Sequence, residues 1–168
     1  MAHNDKNLPL ALRKDLRDNE ASLNKNLERI AAVTGKKFTF EADYAEVNKK
    51  IDTSYQNRLG EIFYTSYLDA LASRYLIHFA TRWLIIRLET ICKDDMVLEA
   101  FNEKVSGNKI IYEFVEETEG YIQVVLGTGT YKIDFWGWQT DGNIHIRNKP
   151  ENFWCNISYL GEDIEKQL

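Results

Sequence analysis

Two side chains in the second half of the chain have the types and placement for acid–base chemistry. Asp134 and His145 fall on stretches that read as adjacent strands, on the same face of each. A carboxylate beside an imidazole can orient the ring and stabilise its protonated form, the usual logic of a general base. Two such residues on neighbouring strands are more often a solvated pair, so they are candidates and not a motif. Arg147 shares that face with Tyr121, Trp136, Trp138 and Trp154. Tryptophan hides a large apolar area and still offers an N–H, and aromatics with arginine are enriched where proteins meet. Arg147 stacked on a tryptophan ring would be a cation–π contact.

A second cluster lies on a long apolar stretch of helical period. Arg74, His78 and Arg82 recur every fourth residue, and Glu89 falls on the same side. Their shared face could hold an anion, since arginine suits bidentate contacts. The competing reading is the solvated side of a buried helix.

Other motifs point to structure. "GTGT" at 127–130 joins two predicted strands and opens no helix, so it lacks the dipole of a phosphate loop and reads as a hairpin turn. The run Glu113, Glu116, Glu117, Glu119 lacks the spacing of a calcium loop. With three histidines and no HxxxH or CxxC spacing, neither a metal nor a cofactor is expected. Cys92 and Cys155 sit in apolar surroundings, as buried thiols do in a reducing compartment. The polar start "MAHNDKNLPL" has no apolar core of a secretory signal. "YLIHFATRWLIIRLETI" is broken by charges and reads as a buried helix, not a membrane span. Together these point to a cytoplasmic location.

The elements that must position these residues divide the chain in two. Residues 1–107 read mainly helical, residues 108–160 as an antiparallel sheet, and residues 161–168 as a short acidic tail, all in a single domain of 168 residues. Leu12, Leu16, Leu23, Leu27 and Ile30 form one stripe of a first helix, with Pro9 at its start and Gly35 at its C-cap. "KKFTFE" is a short strand or loop, and Tyr44, Val47, Ile51 and Tyr55 suggest a second helix. Tyr55 to Ile91 continues helical, with a break expected near Gly60 or Ser73; a further helix covers Asp95 to Val105 and ends at Gly107.

After Gly107 the period drops to two. Lys109–Glu116, Tyr121–Leu126, Thr130–Trp138, Asn143–Arg147 and Phe153–Leu160 read as five strands with short links. Short links imply antiparallel neighbours, hence a meander with helices on one face: an α+β fold, for which a cone-like roll is one arrangement.

Strand parity then groups the side chains. A turn at Asp141-Gly142 sets Trp138 opposite His145 and Trp136 opposite Arg147. A loop of all of "QTDG" instead pairs Trp136 with His145 and Asp134 with Arg147. A turn at Thr128-Gly129 sets Ile122, Val124 and Leu126 with Tyr131, Ile133 and Phe135 on an aliphatic face. Ile110, Tyr112 and Phe114 join that face only if the "ETEG" link is odd or bulged.

An aromatic face needs a cover, supplied within the chain, by a protein or by a ligand. The chain has fourteen basic and twelve acidic residues up to Cys92, but seven basic and fourteen acidic from Lys93 onward. That balance opposes a broad phosphate-backbone footprint, so nucleic acid is not the expected partner. The reading is a non-enzymatic intracellular binding or assembly domain, its aromatic face meeting a second subunit or another protein. The alternative is a carrier of a small apolar ligand, or an acid–base enzyme, with a pocket lined by the tryptophan face.

Overall fold

The structure, a computed structural model, describes residues 4–47, 49, 81–115, 122–127, 131–134, 137–139, 141–148 and 160–168. It is a mixed helix-and-sheet fold, broadly α+β.

Helix α1, Leu10–Thr34, follows the leucine stripe. Pro9 stands as its N-cap residue, and Gly35 ends it at φ 74°, donating its N–H to Ala31 O at 2.9 Å. Leu12, Leu16 and Ile30 are buried. Strand β1, Thr39–Ala42, settles "KKFTFE" as a strand, and a helical turn follows at 44–47. Ile51, Tyr55 and the expected break near Gly60 or Ser73 lie outside the described residues.

Helix α2, Thr81–Ile91, packs against α1. Helix α3, Asp95–Lys104, starts at Asp94, whose carboxylate accepts the Met96 and Val97 N–H groups at 2.9 and 3.3 Å. Lys36 ties the two helix ends together. Its Nζ donates to Asn102 O at 3.0 Å and to Val105 O, placing an ammonium on the negative end of α3. Asn102 Nδ2 returns a bond to Thr34 O at 3.3 Å.

The remaining strands are β2 (Lys109–Phe114), β3 (Ile122–Leu126), β4 (Tyr131–Asp134), β5 (Gly137–Gln139) and β6 (Ile144–Asn148). Helix α4, Leu160–Gln167, follows. The expected acidic tail is therefore helical, and Leu160, the end of the expected fifth strand, opens the helix; residues 153–159 lie outside the described set.

The pairing is not a meander. One sheet has the order β1-β2-β6-β3, and β4 and β5 form a separate two-stranded ribbon. β1 runs parallel to β2, β2 parallel to β6, and β3 antiparallel to β6. So β2 and β3, consecutive in the chain, are separated by β6. The cause lies at two glycines. Gly127 N–H donates to Asn143 O at 2.8 Å and Gly142 N–H to Gly127 O at 3.1 Å, which closes β3 directly onto β6. Both have positive φ, 37° and 72°, open to glycine at little steric cost. The chain between them folds on itself, with Tyr131 opposite Gln139, Lys132 opposite Trp138 and Asp134 opposite Gly137.

This order also resolves the first strand. Ile110 and Tyr112 stand opposite Ile144 and Ile146, so they face the core by the parallel ladder, and the parity of "ETEG" has no bearing. Ile110, Tyr112, Phe114, Val124, Leu126, Ile144 and Ile146 form one buried cluster with Leu12, Leu84, Leu88, Phe101 and Ile164. Burying each such side chain stabilises by roughly 1.5–3 kcal/mol. The helices thus cover one face and leave the side chains of the other to build a site. Among the described residues, no helix is long and apolar enough to cross a membrane.

Candidate functional site

The reverse face of the sheet carries Glu113 on β2 and His145 and Arg147 on β6. The parallel register sets Glu113 opposite Arg147, and Arg147 Nε donates to Glu113 Oε1 at 2.9 Å. The same oxygen lies 3.4 Å from His145 Nδ1. On the other side of the ring, His145 Nε2 is 2.9 and 3.0 Å from the two oxygens of Asp141.

Asp141 reaches the ring because the chain turns just before β6. Asn143 N–H donates to Asp141 Oδ1 at 2.9 Å, a turn closed by the aspartate's own side chain. Asn143 Oδ1 in turn accepts the Lys109 N–H at 3.1 Å, anchoring that turn to β2. The result is an alternating array of Asp141, His145, Glu113 and Arg147. The two cations are the more buried members: the His145 side chain is 6% exposed and Arg147 12%, against 28% for Glu113 and 43% for Asp141.

Charge decides what the array can do. Burial alone would favour a neutral ring, but Glu113 and Asp141 outweigh it and hold the His145 pKa above its ordinary value. For Asp141, burial pushes upward, yet bonds from Asn143 and His145 and the charge of the ring prevail, bringing it down to about 2. Only imidazolium donates from both nitrogens, and here both face carboxylate oxygens. The array ties β2, β6 and the turn at 141–143 together.

The two carboxylates in it were not singled out as partners of His145 in the sequence. Glu113 read as part of an acidic run, and Asp141 as a turn residue. The one available signal was Asp141 with His145 at i,i+4 across a turn. Asp134, the expected partner, lies on β4, which pairs with β5 and not with β6. His145 instead stands between Ile111 and Val125, so neither expected register to Trp136, Trp138 or Asp134 occurs. Trp138 lies on β5, in the separate ribbon. A single sheet face uniting Trp138 with His145 and Arg147 is therefore not formed. Trp136, Trp154 and Tyr121 lie outside the described residues.

Of the cationic stripe, Arg82 is exposed on α2, while Arg74 and His78 lie outside the described residues. Glu89 turns to α1, where Arg29 Nε and Nη2 donate to its two oxygens at 2.9 and 2.6 Å. Cys92 is buried, and burial pushes its thiol pKa up, so it is a poor nucleophile. Cys155 lies outside the described residues. No group of His, Cys, Asp or Glu among the described residues is arranged to hold a metal ion. A cleft of about 640 Å3 runs along α1, lined by Leu27, Ala31, Lys37 and Phe38, and not by the His145 array.

No family model matches the chain, and no curated protein or solved structure matches it.

Proposed function

We propose that the chain is a non-enzymatic binding or assembly domain that meets a second subunit or another protein. The observation that carries this reading is the ribbon. β4 and β5 leave the sheet at Gly127 and Gly142 and pair with each other. Strands of four and three residues make a ribbon that is marginal alone and gains from a partner surface. Trp138, opposite Lys132, gives it the residue type most enriched at interface hot spots. The His145 array supports the non-enzymatic half of the reading, because Nε2 is bonded to Asp141 and Nδ1 faces Glu113 at 3.4 Å. A protein partner in a reducing, cytoplasmic compartment fits the two cysteines and the acidic second half of the chain.

Light scattering across dilution tests the second-subunit form. The wild type should exceed the mass of one chain, and Trp138→Ala should lower it while circular dichroism stays unchanged. A wild type at single-chain mass throughout, unaltered by Trp138→Ala, sinks that form. A turnover abolished by His145→Gln with the fold intact would overturn the reading in favour of an acid–base enzyme.

A further inference from the structure

Asp141-Gly142 is the one Asp-Gly pair in the sequence, which has no Asn-Gly pair. Such a pair is open to a spontaneous rearrangement, because glycine puts no side chain in the way of attack by its own nitrogen. The Gly142 nitrogen gives up its proton to water and attacks Asp141 Cγ. A C–N bond forms, the Cγ–OH bond breaks, and the hydroxyl leaves with a proton as water. Water then opens the five-membered ring at either carbonyl, restoring aspartate or leaving isoaspartate. The sum is an isomerisation, and no other reactant enters.

The fold engages both groups that this reaction needs. Gly142 is buried, and its N–H, the proton to be lost, donates to Gly127 O at 3.1 Å. Gly142 O accepts the Gly107 N–H at 2.8 Å, so the peptide groups on both sides of its Cα are held. On the carboxylate, Oδ1 accepts the Asn143 N–H at 2.9 Å, and Oδ1 and Oδ2 lie 3.0 and 2.9 Å from His145 Nε2. Cγ must leave these partners to be attacked. The protonated carboxyl is the form that loses water, and bonds from Asn143 and His145 bring the Asp141 pKa down to about 2 against the upward push of burial.

We propose that Asp141-Gly142 is a latent isoaspartate site, kept silent in the folded chain by the His145 contact and the closure onto Gly127. Isomerisation routes the backbone through Cβ and adds one carbon to it. The Gly142 N–H and the carboxylate then cannot both keep their places at Gly127 O and His145. A lapse of this turn is thereby converted into a covalent change at the point where β3 closes onto β6.

The test incubates the full chain at neutral pH and follows isoaspartate at 141 as resistance to an Asp-specific endoproteinase after denaturation. The wild type in urea should accumulate it about tenfold or more faster than the folded wild type, since both groups are then released. His145→Gln, folded by circular dichroism, should also gain about tenfold or more, because the protonated carboxyl becomes commoner once the ring's charge is gone. Asn143→Ala, which removes the side-chain amide beside the carboxylate, should gain less and serves should His145→Gln fail to fold. Asn26→Ala, destabilised at the contact of α1 with α2, should match the folded wild type. Equal rates for the folded and urea-treated wild type would overturn the proposal, as would folded His145→Gln or Asn143→Ala at the wild-type rate. A rise in Asn26→Ala equal to that in His145→Gln would assign the reaction to global unfolding and overturn it as well.

Discussion

Asp141 and His145 are four residues apart, yet Asp141 Oδ2 lies 2.9 Å from His145 Nε2. Along a continuous strand, four residues span about 13 Å. The contact therefore exists only because the chain reverses at Gly142, whose φ of 72° makes the turn. It reports on the closure of β3 onto β6, and it locks the ring from the side opposite Glu113.

That lock gives stability a definite pH window. The His145 pKa is raised, because Glu113 and Asp141 together outweigh the burial that opposes its charge. Its contribution is full below the unfolded value of about 6.5 and is lost as pH rises through the folded value. Asp141 is lowered to about 2, so its contribution is present above its unfolded value of roughly 4 and fades as pH falls toward the folded one. Urea midpoints should be highest between about pH 4 and 6.5 and fall on either side. His145→Gln should cost about 1.5–3 kcal/mol at about pH 5 and abolish the alkaline fall. Asp141→Asn should cost about 1 kcal/mol or less, because that carboxylate is partly solvated and screened. An alkaline decline that persists in His145→Gln would show that the array is not its source.

The glycines at the root of the ribbon should tolerate no side chain, unlike the one that ends α1. A Cβ on Gly127 would lie 1.4 Å from Lys104 O, and one on Gly142 2.9 Å from Gly107 N, both backbone atoms. Gly35 has the same kind of backbone, φ 74°, but nothing within 4 Å of a Cβ. Gly35→Ala should cost about 1–2 kcal/mol, the strain of the left-handed backbone alone. Gly127→Ala should cost about 3 kcal/mol or more, because two backbones must also move apart. Equal urea midpoints for the two variants would mean that the contact between 104 and 127 relaxes freely.

The parts of the fold set by local chemistry were legible in the sequence. The leucine stripe with Pro9 and Gly35 delimits α1, and Asp94–Asp95 marks the start of α3. Alternation located β2, β3 and β6, and it put Ile144 and Ile146 on the core face and His145 and Arg147 on the other. Alternation cannot say which strand is the neighbour. "YKIDFWGWQ" keeps one period across what become β4 and β5, and nothing local announces that β6 enters between β2 and β3. Short links imply adjacency and so set Asp134 beside His145, whereas the strand order sets Glu113 and Asp141 there. The facing was a local property and the partners a topological one.

The contact between α1 and α2 offers two polar links that should differ in strength and in their response to salt. Asn26 Nδ2 donates to Thr81 Oγ1 at 3.0 Å, and both residues are buried, at 7% and 0% exposure. Arg29 and Glu89 make the shorter, doubled contact, but their side chains are 39% and 37% exposed. Water and ions compete there, so a double-mutant cycle on Arg29 and Glu89 should return about 0.2–1 kcal/mol. Added salt near 1 M, where the screening length falls to about 3 Å, should reduce it further. Asn26→Ala should cost about 1–3 kcal/mol, since the amide bonds where water does not replace it, and that cost should be nearly insensitive to salt. If the charged pair couples more strongly than the cost of Asn26→Ala, the ion pair and not the buried amide holds the two helices in register.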